Sequence, residues 1–164
     1  MKSAVIAYIG LGGNVGIVAE TLRQATLALD ALAGTTVQAA SSLYRTPAWG
    51  LEQQPDFVNG VVALETTLTA QQLLQALLGI ELQFGRDRDA GERWGPRTLD
   101  LDLLLYADAV LDEPGLRLPH PHLHARAFAL VPLLQIAPDI LIPGQGPARD
   151  ALSRLESADI AVLG

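Results

Sequence analysis

Strand-like and helix-like segments follow one another in the order strand, helix, strand, strand, helix, strand, and this order predicts an α+β, ferredoxin-like βαββαβ core. The expected architecture is an antiparallel or mixed sheet flanked by helices in a three-layer α-β-α arrangement. Two totals fit it. A chain of 164 residues is long enough to bury a substantial core as a single domain, residues 1–164, and it contains no cysteine for a disulfide framework or a thiolate zinc site. Although 49% of residues are apolar, no run approaches the roughly 18 needed to span a bilayer. The start, with one basic residue and a short apolar stretch, reads as a first strand of a soluble, cytoplasmic protein rather than a signal peptide.

The elements can be justified in order. Residues 5–9 form an apolar strand, and the glycine-rich run from Gly10 to Gly16 reads as a tight turn. Its spacing is neither G-x-G-x-x-G nor a P-loop. Val18, Leu22, Ala25, Leu29 and Leu32 recur at helical spacing until Gly34 stops them. Residues 35–44, rich in β-branched and small side chains, predict a second strand. The loop at residues 45–56 carries two prolines and Trp49, and is either an ordinary connection or a functional one. Residues 57–65 predict a third strand, in which Asn59 must find a backbone partner or face a ligand. Thr69 and Gln72 have the spacing of a capping box, and the stripe Leu73, Leu77, Ile80, Phe84 runs to Gly85. Glu81 beside that stripe is either solvated or directed towards the site. Residues 86–92 alternate in charge, as a solvated loop or a lid does.

Residues 99–106 have the density of a buried strand, whose side chains alternate between two faces. Leu99, Leu101, Leu103 and Leu105 fall on one face, and Asp100, Asp102, Leu104 and Tyr106 on the other. Two carboxylates on one face, roughly 7 Å apart between Cα atoms, either fray into water or share a hard divalent cation, Mg²⁺ or Ca²⁺. Arg93 and Arg97 just before them favour the cation, because guanidinium groups beside a metal-binding pair suit phosphate. The net charge of −7, with 18 acidic and 11 basic residues, argues against a nucleic-acid binder, so the local patch of Arg86, Arg88, Arg93 and Arg97 points to a small anion. Next, residues 116–119 are extended. His120, His122 and His124 could suggest zinc, but a tetrahedral site prefers a less linear arrangement, and the favoured reading is one or two of them as polar contacts in a cleft. Arg126 and Phe128 open an apolar helix to about residue 136, and a weaker helix spans residues 148–158.

The run Arg93-Trp94-Gly95-Pro96-Arg97-Thr98-Leu99-Asp100-Leu101-Asp102-Leu103-Leu104 resembles the signature of the 6-hydroxymethyl-7,8-dihydropterin pyrophosphokinase family of folate biosynthesis. Supporting matches are Gly12-Gly13-Asn14, Tyr44-Arg45-Thr46-Pro47, residues 54–59, residues 81–86, and Pro119-His120 with Arg126 and Phe128. The resemblance implies Mg-dependent transfer of pyrophosphate from ATP to the hydroxymethyl group of the pterin alcohol, releasing AMP. It implies that Asp100 and Asp102 hold two Mg²⁺ ions, and that Arg86, Arg97 and His120 contact phosphates. Arg88 and Arg93 would lie on or beside a closing loop, Arg93 and Trp94 would contact ATP, and Arg126 would approach the bound nucleotide or the transferred group. Phe57 and Phe128 would sandwich the pterin, with Asn59 and the segment Thr46, Pro47, Ala48, Trp49 and Gly50 reading its edge. The chain departs from the family pattern at Ala48 and Trp49, at Pro121, and in a loop between Arg88 and Arg93 that is one residue longer.

This chemistry asks for alignment and charge neutralisation rather than a covalent intermediate, and the sequence offers no strong general base. The expectation is a monomer acting on ATP and a small pterin, with no nucleic-acid or membrane partner. The rivals are another Mg-dependent phosphoryl or nucleotidyl transferase, and a non-catalytic nucleotide-binding domain.

Overall fold

The computed structural model describes residues 3–47, 56–85 and 98–163. Its core runs β1 (Val5–Gly13), α1 (Val18–Asp30), β2 (Thr35–Ala40), β3 (Tyr44–Thr46), β4 (Phe57–Thr66), α2 (Ala70–Gln83) and β5 (Asp100–Tyr106). A second half adds the hairpin β6 (Leu111–Glu113) and β7 (Leu116–Leu118), α3 (Ala127–Ile136), the short pair β8 (Leu141–Ile142) and β9 (Gly146–Pro147), α4 (Ala148–Ser153) and β10 (Ala161–Val162). The main sheet is antiparallel throughout, in the order β10-β3-β4-β1-β5, with β2 also pairing β4. The strands β2-β4-β1-β5 with α1 and α2 are the expected ferredoxin-like core.

Alternation along the strands builds two separate cores. One face of the sheet sends Ala7, Ile9, Leu11, Leu64, Leu101 and Leu103 against Leu22 and Leu29 of α1 and Leu73, Leu77 and Ile80 of α2. The other sends Val61, Leu104 and Leu105 against Leu130 and Leu133 of α3 and Ala148 and Ala151 of α4. The helices therefore lie on both sides, giving three layers. α2 starts where predicted: Thr69 Oγ1 accepts from the Gln72 N–H at 3.1 Å, and Gln72 Oε1 accepts from the Thr69 N–H at 2.9 Å. Gly34 and Gly85 follow α1 and α2 with φ of +64° and +86°.

Four expectations are corrected. The glycine run is no turn at Gly10, Gly12 or Gly13, which all belong to β1; of that run only Gly16 has positive φ, at +79°. The second strand breaks at Ser41, whose hydroxyl accepts the Val61 N–H in place of a ladder carbonyl, before the chain resumes as β3. Strict alternation along β5 fails because Tyr8 pairs with Leu105 while Ile9 pairs with Leu103, which leaves Leu104 as a bulge. Beyond the bulge Leu105 joins the α3 side, and Tyr106 joins the α1/α2 side, where its hydroxyl donates to the Leu68 carbonyl. The last helix stops at Ser153, whose hydroxyl donates to the Asp150 carbonyl three residues back.

Candidate active site

The register of β1 puts the sequence-predicted carboxylates and Asn59 on common rows. Asn59 of β4 pairs with Gly12, and Gly12 pairs with Asp100; on the next row of the same face Val61 pairs with Gly10, and Gly10 with Asp102. Directly opposed residues share a face, so this face has the aspartates on one side, a floor of glycine backbone in the middle and Asn59 on the other. Two strand spacings separate Asp100 from Asn59, roughly 10 Å. The floor is enforced by space. A Cβ on Gly12 would stand 2.3 Å from Asn59 Oδ1, so the Asn59 carboxamide folds over β1 only because residue 12 is glycine. On Gly10 the same atom would meet Leu104 at an ordinary 3.5 Å.

The segment after β7 closes the aspartate side. The His120 N–H donates to the Leu104 carbonyl at 2.9 Å, which pins the imidazole beside β5. Its Nε2 stands 3.8 Å from Asp102 Oδ1, and Arg126 Nη1 stands 3.6 Å from Asp102 Oδ2. Burial, followed by the positive field of Arg126 and the neighbouring His122, pushes His120 down to about 4, so the ring is neutral at pH 7. The His122 N–H donates to His120 Nδ1 at 3.2 Å, which leaves the ring proton on Nε2, facing Asp102. This pair is thus a neutral donor beside a carboxylate, not an ion pair. Arg126 also caps the N-terminal end of α3, and its guanidinium carbon lies 5.6 Å from the Phe128 ring centroid.

The structure brings together Asn59 of β4, Asp100 and Asp102 of β5, and His120 and Arg126 of the segment between β7 and α3. Phe57 opens β4 two residues before Asn59, and opposes the buried Thr46. Phe128 is 36% exposed at the start of α3. Pro47 is exposed after β3. His122 and His124 are exposed, and among the described residues no group of three or more His, Asp or Glu could hold a metal. Ala48, Trp49, Gly50, Arg86, Arg88, Arg93, Trp94 and Arg97 lie outside the described residues. Glu81 is not solvated: it is 2% exposed, and its Oε2 accepts the Leu101 N–H at 2.8 Å. Sequence reasoning missed Gly10 and Gly12 as site residues. The signal was their spacing of two, which puts both on one face of an apolar strand.

Comparison with known proteins points the same way. A family model described as 7,8-dihydro-6-hydroxymethylpterin-pyrophosphokinase matches residues 8–138. A Synechocystis protein named 2-amino-4-hydroxy-6-hydroxymethyldihydropteridine pyrophosphokinase is 49% identical over 157 residues, 96% of this chain and 78% of the relative. One of the same name from Methylorubrum extorquens is 46% identical, over 94% of this chain and 96% of the relative. Among solved structures, wild-type Plasmodium falciparum HPPK-DHPS superposes with a TM-score of 0.71 at 14% identity, over 93% of this chain. The chain spans only 41% of that structure's length, and this likeness speaks to the fold alone.

Proposed function

The chain belongs to the 7,8-dihydro-6-hydroxymethylpterin-pyrophosphokinase family, and from that premise we propose how its own residues divide the work. The reaction is transfer of pyrophosphate from ATP to hydroxymethyldihydropterin in folate biosynthesis, with Mg²⁺ as the family's metal. The hydroxymethyl oxygen attacks the β-phosphorus, the bond from that phosphorus to the α,β-bridging oxygen breaks, AMP departs with that oxygen, and the alcohol proton passes to solvent.

The observation that carries the reading is the shared face of Asp100, Asp102 and Asn59 across the Gly10 and Gly12 floor. Two partly buried carboxylates supply hard oxygen donors and leave most of a coordination shell to water and phosphate, which suits Mg²⁺. Asp100 and Asp102 would hold two ions, whose contribution when bound is neutralisation of phosphate charge. His120 donates its Nε2–H to a phosphate oxygen, and Arg126 supplies positive charge at the same carboxylate. Arg86 and Arg97 bind the transferred group, while Arg88, Arg93 and Trp94 belong to the segment that encloses it. Asn59 reads the edge of the pterin, whose ring is held by Phe57 and Phe128 and bordered by Thr46, Pro47, Ala48, Trp49 and Gly50. The roughly 10 Å between the aspartate and amide sides leaves room for a bicyclic ring and its hydroxymethyl arm. No side chain acts as a strong base, in keeping with a loose transition state that makes little early demand for proton removal.

We also read the protein as one domain and a monomer. We place it in the cytoplasm, where the relatives' folate chemistry would supply its pterin substrate. Among the described residues no helix is long and apolar enough to cross a membrane. The test is a product assay on purified protein with ATP, Mg²⁺ and the pterin alcohol. AMP and pterin diphosphate should appear in equal amounts and vanish in folded Asp102→Ala; ADP as product, or near-normal turnover by that variant, refutes the reading.

A further inference from the structure

One buried acid is left without a task by this division of work. Glu81 lies on α2 among core side chains, on the side of the sheet opposite to the aspartates, yet its carboxylate accepts a hydrogen bond from Leu101, the residue between Asp100 and Asp102. Among the described residues β5 is an edge strand, with no further strand to take the N–H groups that point away from β1. The Leu101 N–H is one of these outward groups, and Glu81 occupies the place of the missing neighbour at that peptide. The Leu101 side chain is itself buried in the α1/α2 core, so this peptide is held both by packing and by a buried hydrogen bond.

We propose that Glu81 is a positioning residue for the metal-binding pair, fixing the β5 backbone from which both carboxylates project. The inference rests on the reading that Asp100 and Asp102 hold Mg²⁺. The geometry explains why a helix facing the core would matter to a site on the other face. A flanking peptide free to tilt would change the separation and aim of two carboxylates that must grip the same charge cluster, and partners standing behind metal ligands typically alter metal affinity by about 10- to 100-fold. Glu81 touches neither nucleotide nor pterin in this scheme, so its loss should leave pterin recognition at Asn59 intact.

The test compares Glu81→Leu, which removes the acceptor, with Glu81→Gln, which keeps an acceptor oxygen. Two readouts are independent of turnover: hydrogen exchange of the Leu101 amide in the ligand-free protein, and calorimetric Mg²⁺ affinity in the presence of a non-hydrolysable ATP analogue. Glu81→Leu should speed exchange at Leu101 and weaken Mg²⁺ binding about tenfold or more, while pterin affinity changes less than about threefold. Glu81→Gln should retain most of both the protection and the Mg²⁺ affinity. Unchanged Mg²⁺ affinity in folded Glu81→Leu overturns the proposal, and so does an equal loss of pterin affinity. Should Glu81→Leu fail to fold, Glu81→Gln decides: protection with near-normal Mg²⁺ affinity supports an anchoring role, whereas protection with a tenfold loss refutes it. Asp102→Asn measured alongside separates the two levels. If that variant binds Mg²⁺ normally the reading of the site has failed, and if it does not while Glu81→Leu does, only the anchoring role has.

Discussion

On the face of the sheet that carries α3 and α4, the same three strands present Tyr8, Val61, Leu104 and Leu105 at one end and Gly12, Asn59 and Asp100 at the other. The first end is covered by Leu130 and Leu133 of α3 and is buried; the second belongs to neither apolar core among the described residues, and Asn59 and Asp100 are half exposed there. Between them lies a boundary row in which buried Val61 opposes Gly10, and Gly10 opposes Asp102. Strand order runs through unchanged and the β1–β4 register is continuous, while the bulge at Leu104 adds one more apolar side chain to the first end, so the difference lies in the side chains and in what covers them. A sheet face becomes a binding floor where large apolar residues give way to glycine and charge, and where the covering helix stops at Arg126.

The largest expected effect breaks the polar end alone. Asp100→Ala or Asp102→Ala should lower kcat/KM by at least ~10³, about 4 kcal/mol, because each removes half of the carboxylate pair. Thermal unfolding should change little or improve, since a like-charge neighbour is removed. A large loss of stability in steady heat scans would mean that the aspartates belong to the folding core after all. The reciprocal change, Leu130→Ala, strikes the buried end of the same face. It should cost about 3 kcal/mol of stability, measured by denaturant titration, while the KM for both substrates stays close to normal wherever the protein is folded.

A smaller effect sharpens the comparison at the glycine floor. Gly12→Ala sets a Cβ where the Asn59 amide lies, and should raise the KM for the pterin alcohol about tenfold, near 1.4 kcal/mol, with little change in the KM for ATP. Gly10→Ala meets Leu104 only at contact distance and should be milder. Equal effects of the two on pterin KM would show that the floor, and not the seat of Asn59, sets acceptor affinity.

How much of this was legible in the chain follows from the range of each signal. The capping box at Thr69, the helical stripes and the alternation of Asp100 with Asp102 are local, and each appears in the structure as read. The pairing of Gly12 with Asn59 and Asp100 spans 47 and 88 positions, which no local pattern encodes, so the glycines passed for a turn. The bulge at Leu104 likewise depends on how β1 meets β5, and it redirected Leu105 and Tyr106. Glu81 stayed ambiguous because its helical position names the face but not the edge-strand N–H awaiting it. Of the proposed site, the family resemblance named the residues, while the convergence of His120 and Arg126 on Asp102 required the fold.

The smallest expected effect concerns the charge at the boundary between the two ends. His120 titrates near 4 in the folded chain and near 6.5 when unfolded, so between those values the unfolded state binds the extra proton. Stability of the ligand-free protein therefore rises with pH through the window from about 4 to 6.5, and is lost as pH falls through it. Because the ring keeps some contact with solvent, the contribution is on the order of 1 kcal/mol. Carboxylates also titrate here, so the measurement that isolates it is the difference between wild type and His120→Gln in unfolding scans at several pH values. The gap should narrow or change sign as pH falls from 7 to 4.5, because only in the wild type does unfolding release an imidazole that then takes up a proton. A gap that widens towards acid would mean that the folded state binds the proton more tightly than the unfolded chain. His120 would then be an imidazolium gripping Asp102 at 3.8 Å, and the neutral donor assigned to the phosphate would have to be abandoned.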